Sequence, residues 1–185
     1  MEALEAIVAA ILQNKGFWVR TSVRVKLDLP KRRNQSDPRT ELDVVAYSPK
    51  SHEVWVVECK SFLNSPGVRS RAFLNPGDRA KQRYKLFHDS KHWSNVRERL
   101  LQQLEFDESP RSEAPKVYLC LAAAHIAGVG EIALKDHFIS KSWKLLGPGW
   151  LKDGLKKLAN NDYENDVITM TAKLLAEDFC SGQPK

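Results

Sequence analysis

Residues 116–124 (KVYLCLAAA) constrain this chain more than any other stretch, because they are apolar at odd and even positions alike. A strand made of them has no face suited to water and has to be covered on both sides, as strands in a helix-flanked sheet are. Residues 42–47 (LDVVAY) and 54–58 (VWVVE, continuing towards Phe62) read similarly, rich in β-branched and aromatic side chains. The SPKSHE stretch between them is a short, turn-rich connection. Two-sided burial demands helices above and below the sheet.

Helical signals are present in the right places. Leu4, Ile7, Val8, Ile11 and Leu12 have the three-and-four spacing of an amphipathic helix, which Gly16 stops. Residues 17–27 read as a strand, and residues 28–40 (DLPKRRNQSDPRT), polar with two prolines, as a long loop. A long helix is predicted over about 78–104, with Leu86, Trp93, Val96, Leu100 and Leu104 towards the core. Further helices follow near 131–140, 150–159 and 164–178, with a Gly-Pro-Gly turn at 147–149. The order αβββαβ plus extra C-terminal helices predicts an α/β domain around a mixed central sheet flanked by helices. A length of 185 residues suits one such domain, with the core over about 1–125 and a helical part over about 126–185.

Composition narrows the function classes. Hydrophobic residues make up 42% and charged residues 28%, values of a globular chain rather than a disordered one. No apolar run approaches the ~20 residues that span a bilayer, so no membrane partner is predicted. Cys59, Cys120 and Cys180 form no paired framework. The opening MEALEAIVAAILQNK lacks a signal peptide's cationic stretch, so a reducing, cytoplasmic location is predicted. The formal charge is +6, and it is concentrated: residues 60–99 hold ten basic and three acidic groups, or +7. A second basic knot lies at Lys31, Arg32 and Arg33. Such a block is either a solvated helix face or a surface for phosphates, and its concentration favours phosphates.

The chemistry centres on Asp43, Glu58 and Lys60. Side chains alternate along a strand, so Glu58 and Lys60 share a face about 6.6 Å apart at ~3.3 Å per residue, while Cys59 points the other way. A turn centred between Lys50 and Ser51 would pair Tyr47 with Val54, Val45 with Val56 and Asp43 with Glu58. Two opposed carboxylates repel and gain nothing for stability unless a cation lies between them. A hard divalent ion such as Mg²⁺ takes one or two carboxylates together with phosphate oxygens and waters. Lys60 would then hold an attacking water or the charge developing at phosphorus. The competing reading, a solvent-facing hairpin with a weak Glu58–Lys60 pair, fits poorly with strands apolar on both faces.

Taken together, Glu5 in the first helix, Gly16-Phe17, Glu41-Leu42-Asp43-Val44-Val45 and Val57-Glu58-Cys59-Lys60 resemble the PD-(D/E)xK nucleases. The likeness is to archaeal Holliday-junction resolvases and to Mrr-type and RecB-type nuclease domains. It covers residues 1–62 by motif and 63–124 by element order. Leu42 stands where the name-giving motif has proline, as is common in the resolvase-like branch. The resemblance implies a restriction-endonuclease-like fold and a DNA endonuclease that hydrolyses phosphodiester bonds with Mg²⁺ or Mn²⁺. Asp43 and Glu58 would be metal ligands, Lys60 the catalytic lysine, and Glu5 a further acid that helps hold metal-bound water. DNA would be the partner, contacted by Arg69, Arg71, Arg79, Lys81, Gln82 and Arg83. A homodimer or a subunit of a larger nuclease system is compatible with this. The alternative is a catalytically idle nucleic-acid-binding module of the same fold.

Other signals are weaker. Tyr84 follows Gln82 by two residues, not the four of the RecB-type signature, and reads as packing. His88 and His92 have zinc spacing but no third ligand, and read as exposed. Gly128-Val129-Gly130 lacks the rest of a phosphate-binding fingerprint. The five tryptophans read as core residues.

Overall fold

The turn of α1 (Ala3–Asn14) buries Leu4, Val8, Ile11 and Leu12 along one stripe, and Gly16 at φ +82° releases the chain into the sheet. Only glycine adopts that left-handed conformation without steric cost. The computed structural model describes residues 2–28, 38–104, 113–162 and 166–181. The knot at Lys31, Arg32 and Arg33, with most of the predicted 28–40 loop, lies outside them.

Three strands follow as an antiparallel meander: β1 (Trp18–Lys26), β2 (Arg39–Ser48) and β3 (Glu53–Lys60). The β2–β3 hairpin has the register the sequence predicts, with Val45 opposite Val56 and Tyr47 opposite Val54. The third predicted pair, Asp43 with Glu58, is not formed, because the ladder ends at Val44 and Val57. The chain then crosses through α2 (Arg71–Leu74), α3 (Asp78–Arg83), α4 (Lys85–His88) and α5 (Ser90–Gln103). Strand β4 (Lys116–Ala123) returns parallel to β3. A 3-10 turn (Gly128–Gly130) leads into α6 (Glu131–Ser140), and β5 (Lys144–Leu146) pairs in parallel with β4. Helices α7 (Pro148–Ala159) and α8 (Val167–Ser181) complete the described chain.

The result is an α/β domain whose five-stranded mixed sheet has the order β1-β2-β3-β4-β5. One face packs against α2 to α6 through Phe73, Phe87, Val96, Leu100, Leu134 and Phe138. The other packs against α1, α7 and α8, where Val44, Ala46, Val57, Cys59 and Cys120 meet Val8, Ile11, Leu12 and Leu158. Within β4, Leu119 and Leu121 serve one layer while Cys120 and Ala122 serve the other. That division is the two-sided burial expected of this segment. No helix among the described residues is long and apolar enough to cross a membrane.

Three expectations are corrected here, and one strand is new. The single helix over 78–104 is three helices, interrupted at Tyr84 and Asp89. Tyr84 leaves the helical conformation to bury its ring, and the Asp89 carboxylate accepts the His92 N–H at 2.9 Å. Such a cap requires non-helical backbone and so separates one helix from the next. Strand β3 ends at Lys60, because Phe62 turns at φ +44°. Strand β5 escapes prediction, since three residues are too few to show a period. Trp18 is 71% exposed, against the expectation of a core tryptophan, and its ring sits edge-on to Tyr47.

The α1–α7 contact is close enough to test. A Cβ at Gly154 would stand 2.6–2.8 Å from three carbons of Ile11, itself 1% exposed and β-branched. Gly154→Ala should gain about 1 kcal/mol in helix propensity and lose roughly 1–3 kcal/mol to overpacking. We expect a net loss in urea unfolding, with Gly154→Ala and Ile11→Val less than additive in a double-mutant cycle. Additive losses would mean that the two residues do not meet.

Candidate active site

The site forms where β2 parts from β3. Their pairing runs from Ser48↔Glu53 to Val44↔Val57. One step further, the register would bring Asp43 opposite Glu58, but the ladder stops short of that pair. Instead the Cys59 backbone N–H donates to Asp43 Oδ2 at 2.7 Å. A side-chain carboxylate thus takes a ladder hydrogen bond, which keeps the buried N–H satisfied while the strands separate.

Glu58 and Lys60 extend from the end of β3 on the face covered by α2 to α6, the face that Val54 and Val56 share. Lys60 Nζ lies 2.7 Å from Glu58 Oε1, and the two side chains are only 21% and 16% exposed. On the adjacent strand, Glu58 and Lys60 stand beside Leu121 and Ala123. Burial pushes the Glu58 carboxyl above its usual range; the Lys60 charge and hydrogen bond pull it back, and the Asp43 charge pushes it up again. Asp43, Glu58 and Lys60 therefore share one electrostatic environment.

Glu5 arrives from the other layer. It is 8% exposed, and its Oε2 accepts the Glu2 N–H at 3.1 Å, completing a capping box at the start of α1. It meets the cluster through Cys59, whose thiol is raised by burial first and then by the charges of Asp43 and Glu5. That thiol points into the α1 layer and is inert. Among the described residues no three His, Cys, Asp or Glu side chains converge as a ready-made cation site.

Beyond β3 lies a groove of about 760 Å³ bordered by Phe62, Tyr84, Arg69, Arg71, Arg79 and Arg83. Four of the six residues assigned to phosphate contacts therefore face one space. Lys81 and Gln82 are exposed on α3 but do not border it, and Lys81 reaches Asp78 at 3.8 Å. Arg83 lies over the Phe62 ring, 5.6 Å from its centroid. The wall is pinned by Val68, which bridges Ile126 in parallel, and by Gly67 at φ +83°. A Cβ on Gly67 would come within 2.8 Å of the His125 carbonyl oxygen, so only glycine permits this approach.

Tyr84 joins the groove to the acids. Its ring packs on Phe73 with centroids 4.6 Å apart, as expected of a packing residue. Its hydroxyl is pushed up to about 12, by burial and by the nearby Glu58 charge, with Arg83 opposing. Phe62, Gly67 and Tyr84 escaped the sequence reading as groove residues, and the Pro66-Gly67 turn signal was the one available clue. His88 and His92 are half-buried rather than exposed, and His88 Nε2 bonds the Ala72 carbonyl at 2.9 Å. Burial lowers both imidazoles.

The ion pair predicts a pH signature. Glu58 binds its proton more tightly when folded than at its ordinary value of 4.5. Its contribution to stability is therefore full below that value and is lost as pH rises through the folded one. Lys60 offsets this loss by stabilising the ionised form. Lys60→Met should cost little near ~pH 4 and about 1.5–3 kcal/mol near ~pH 7.5. Urea unfolding at both pH values checks this, and an equal loss at each would deny the coupling.

No known protein family matches the sequence, and no curated protein matches it. Among solved structures, a protein of unknown function, AF1548, superposes with a TM-score of 0.46 at 16% identity. The alignment covers 96% of this chain and 76% of that one.

Proposed function

We propose that this chain is a divalent-metal-dependent DNA endonuclease of the PD-(D/E)xK kind. The observation that carries the reading is the grouping of Asp43, Glu58 and Lys60 where β2 leaves β3, beside a groove lined by Arg69, Arg71, Arg79 and Arg83. The Glu58 carboxyl stays raised by its burial although Lys60 pulls it down, with the Asp43 charge adding to the rise, so the pair of acids still accommodates positive charge. Oxygen donors from two carboxylates suit Mg²⁺ or Mn²⁺, which keep several waters and a substrate oxygen. Asp43 and Glu58 would hold the ion, which supplies charge neutralisation at a phosphodiester.

The chain's own groups do the rest. Lys60 keeps a cationic donor beside Glu58, placed to stabilise charge developing on the phosphoryl oxygens. The four groove arginines neutralise backbone phosphates flanking the scissile one and hold the strand in register. Phe62 and Tyr84 border the same space and give it an apolar wall. Glu5, buried at the start of α1, would be the further acid that helps hold metal-bound water.

Incubation with Mg²⁺ or Mn²⁺ and plasmid, linear or four-way-junction DNA tests the reading. Lys60→Ala should lower cleavage by about 10²–10³-fold, and Asp43→Ala should abolish Mn²⁺ binding in calorimetry. DNA binding without metal uptake or cleavage would instead identify an idle binding module.

The groove predicts a separate result. The log of DNA affinity should fall against log salt by ~0.9 per neutralised phosphate, so Arg69→Ala with Arg71→Ala should flatten the slope by roughly one to two units. Metal binding should survive, and Lys81→Ala or Gln82→Ala should change the slope least. A slope unmoved by the arginine changes would place the DNA elsewhere.

A further inference from the structure

Among the described residues four non-glycine positions have positive φ: Ser22, His52, Phe62 and Ser142. The last three lie in turns between elements. Ser22, at φ +51°, stands in the middle of β1. A serine there occupies backbone that side-chain-bearing residues avoid, and such outliers persist where the surroundings over-determine them.

Its place in the sheet is informative. Strand β1 pairs with β2 as Thr21↔Val44 and Val23↔Leu42, and the pair between them, Ser22 and Asp43, is missing from the ladder. The register is unchanged across the gap, so no residue has been inserted. What changes is the facing. Val19 packs in the α1 layer, whereas Val23 and Val25 pack in the α2–α6 layer. In a regular strand all three would share a face. Strand β2 turns over at the same point, with Val44 and Ala46 in the α1 layer but Leu42 in the other. Asp43 lies between two neighbours that point to opposite layers. Its carboxylate is left near the plane of the sheet, where Oδ2 meets the Cys59 N–H.

We propose that the left-handed backbone at Ser22 positions Asp43: it turns the β1–β2 pair over at this point and presents the carboxylate to the gap beside β3. Ser22 is a positioning residue, acting through its backbone, and its catalytic meaning rests on the nuclease reading. A β-branched residue resists positive φ and favours a continuous strand, which would rotate Asp43 out of the gap. Glycine accepts the turn without cost.

Amide hydrogen exchange followed by NMR, with Mn²⁺ titration, tests this on the full chain. Ser22→Gly and Ser22→Ala should leave the Cys59 amide as protected as in the unaltered protein. Ser22→Val should expose that amide, speeding its exchange about tenfold or more, and weaken Mn²⁺ binding about 10–100-fold. The amides of Val56 and Leu121 should hold their rates. Ser22→Thr serves the same purpose where valine prevents folding. Unchanged Cys59 exchange in the β-branched variants overturns the proposal. So does equal acceleration at Val56 and Leu121, which would assign Ser22 to general stability, or loss of protection in Ser22→Ala, which would assign the effect to the hydroxyl. If the unaltered protein binds no Mn²⁺, the nuclease reading fails, while the Cys59 contrast still decides what Ser22 does.

Discussion

A sheet whose central strands are apolar on both faces exists only between two layers of helices, and the rest of this structure follows from that constraint. Val56 on β3 and Leu119 and Leu121 on β4 need the α2–α6 layer; Val57, Cys59, Cys120 and Ala122 need α1, α7 and α8. Charged groups have no place along the middle of such strands, since an unpaired charge there would lose its hydration. They collect where the cover ends. Glu58 and Lys60 stand at the end of β3 for this reason, and Ala123, beside Lys60 on β4, leaves room for its long side chain.

At that end the polar groups satisfy one another. Cys59 N–H is held by Asp43, Glu58 by Lys60, and Glu5 by the start of its own helix. The arrangement still holds tension, because Glu58 remains raised despite the lysine beside it. A buried pair of this kind is weak evidence of stabilisation and better evidence of function, since apolar residues would fill the space at lower cost. The adjacent groove has the opposite character, with four exposed arginines around a pinned Gly67 wall. Acid cluster and basic groove meet at Tyr84, whose hydroxyl feels both Glu58 and Arg83.

Local patterns were legible wherever a period ran long enough. The stripe of α1, the four longer strands and the hairpin register could all be read, because side-chain alternation and a short turn leave one pairing that buries both strands. The +7 block also pointed to its arginines, four of which line one groove. The breaks at Tyr84 and Asp89 were not legible, since a capping aspartate and an ordinary helix aspartate look alike in sequence. Nor could Lys81 be told from its arginine neighbours, as only about half a turn of helix separates it from the groove-facing Arg79 and Arg83.

The layered α/β class, the hairpin register, the placement of Glu58 and Lys60 on one face and the concentration of positive charge after β3 are all readable from the order of the amino acids. These depend on periods and spacings that belong to neighbouring residues. The aim of Asp43, the approach of Glu5 from the opposite layer and the choice of cations that face the groove emerge only when the layers pack. Those outcomes depend on where strands separate and turn over, as at Ser22 and Asp43. A strand's facing is set by the layers that cover it, and no local pattern in β1 or β2 records that the cover changes sides.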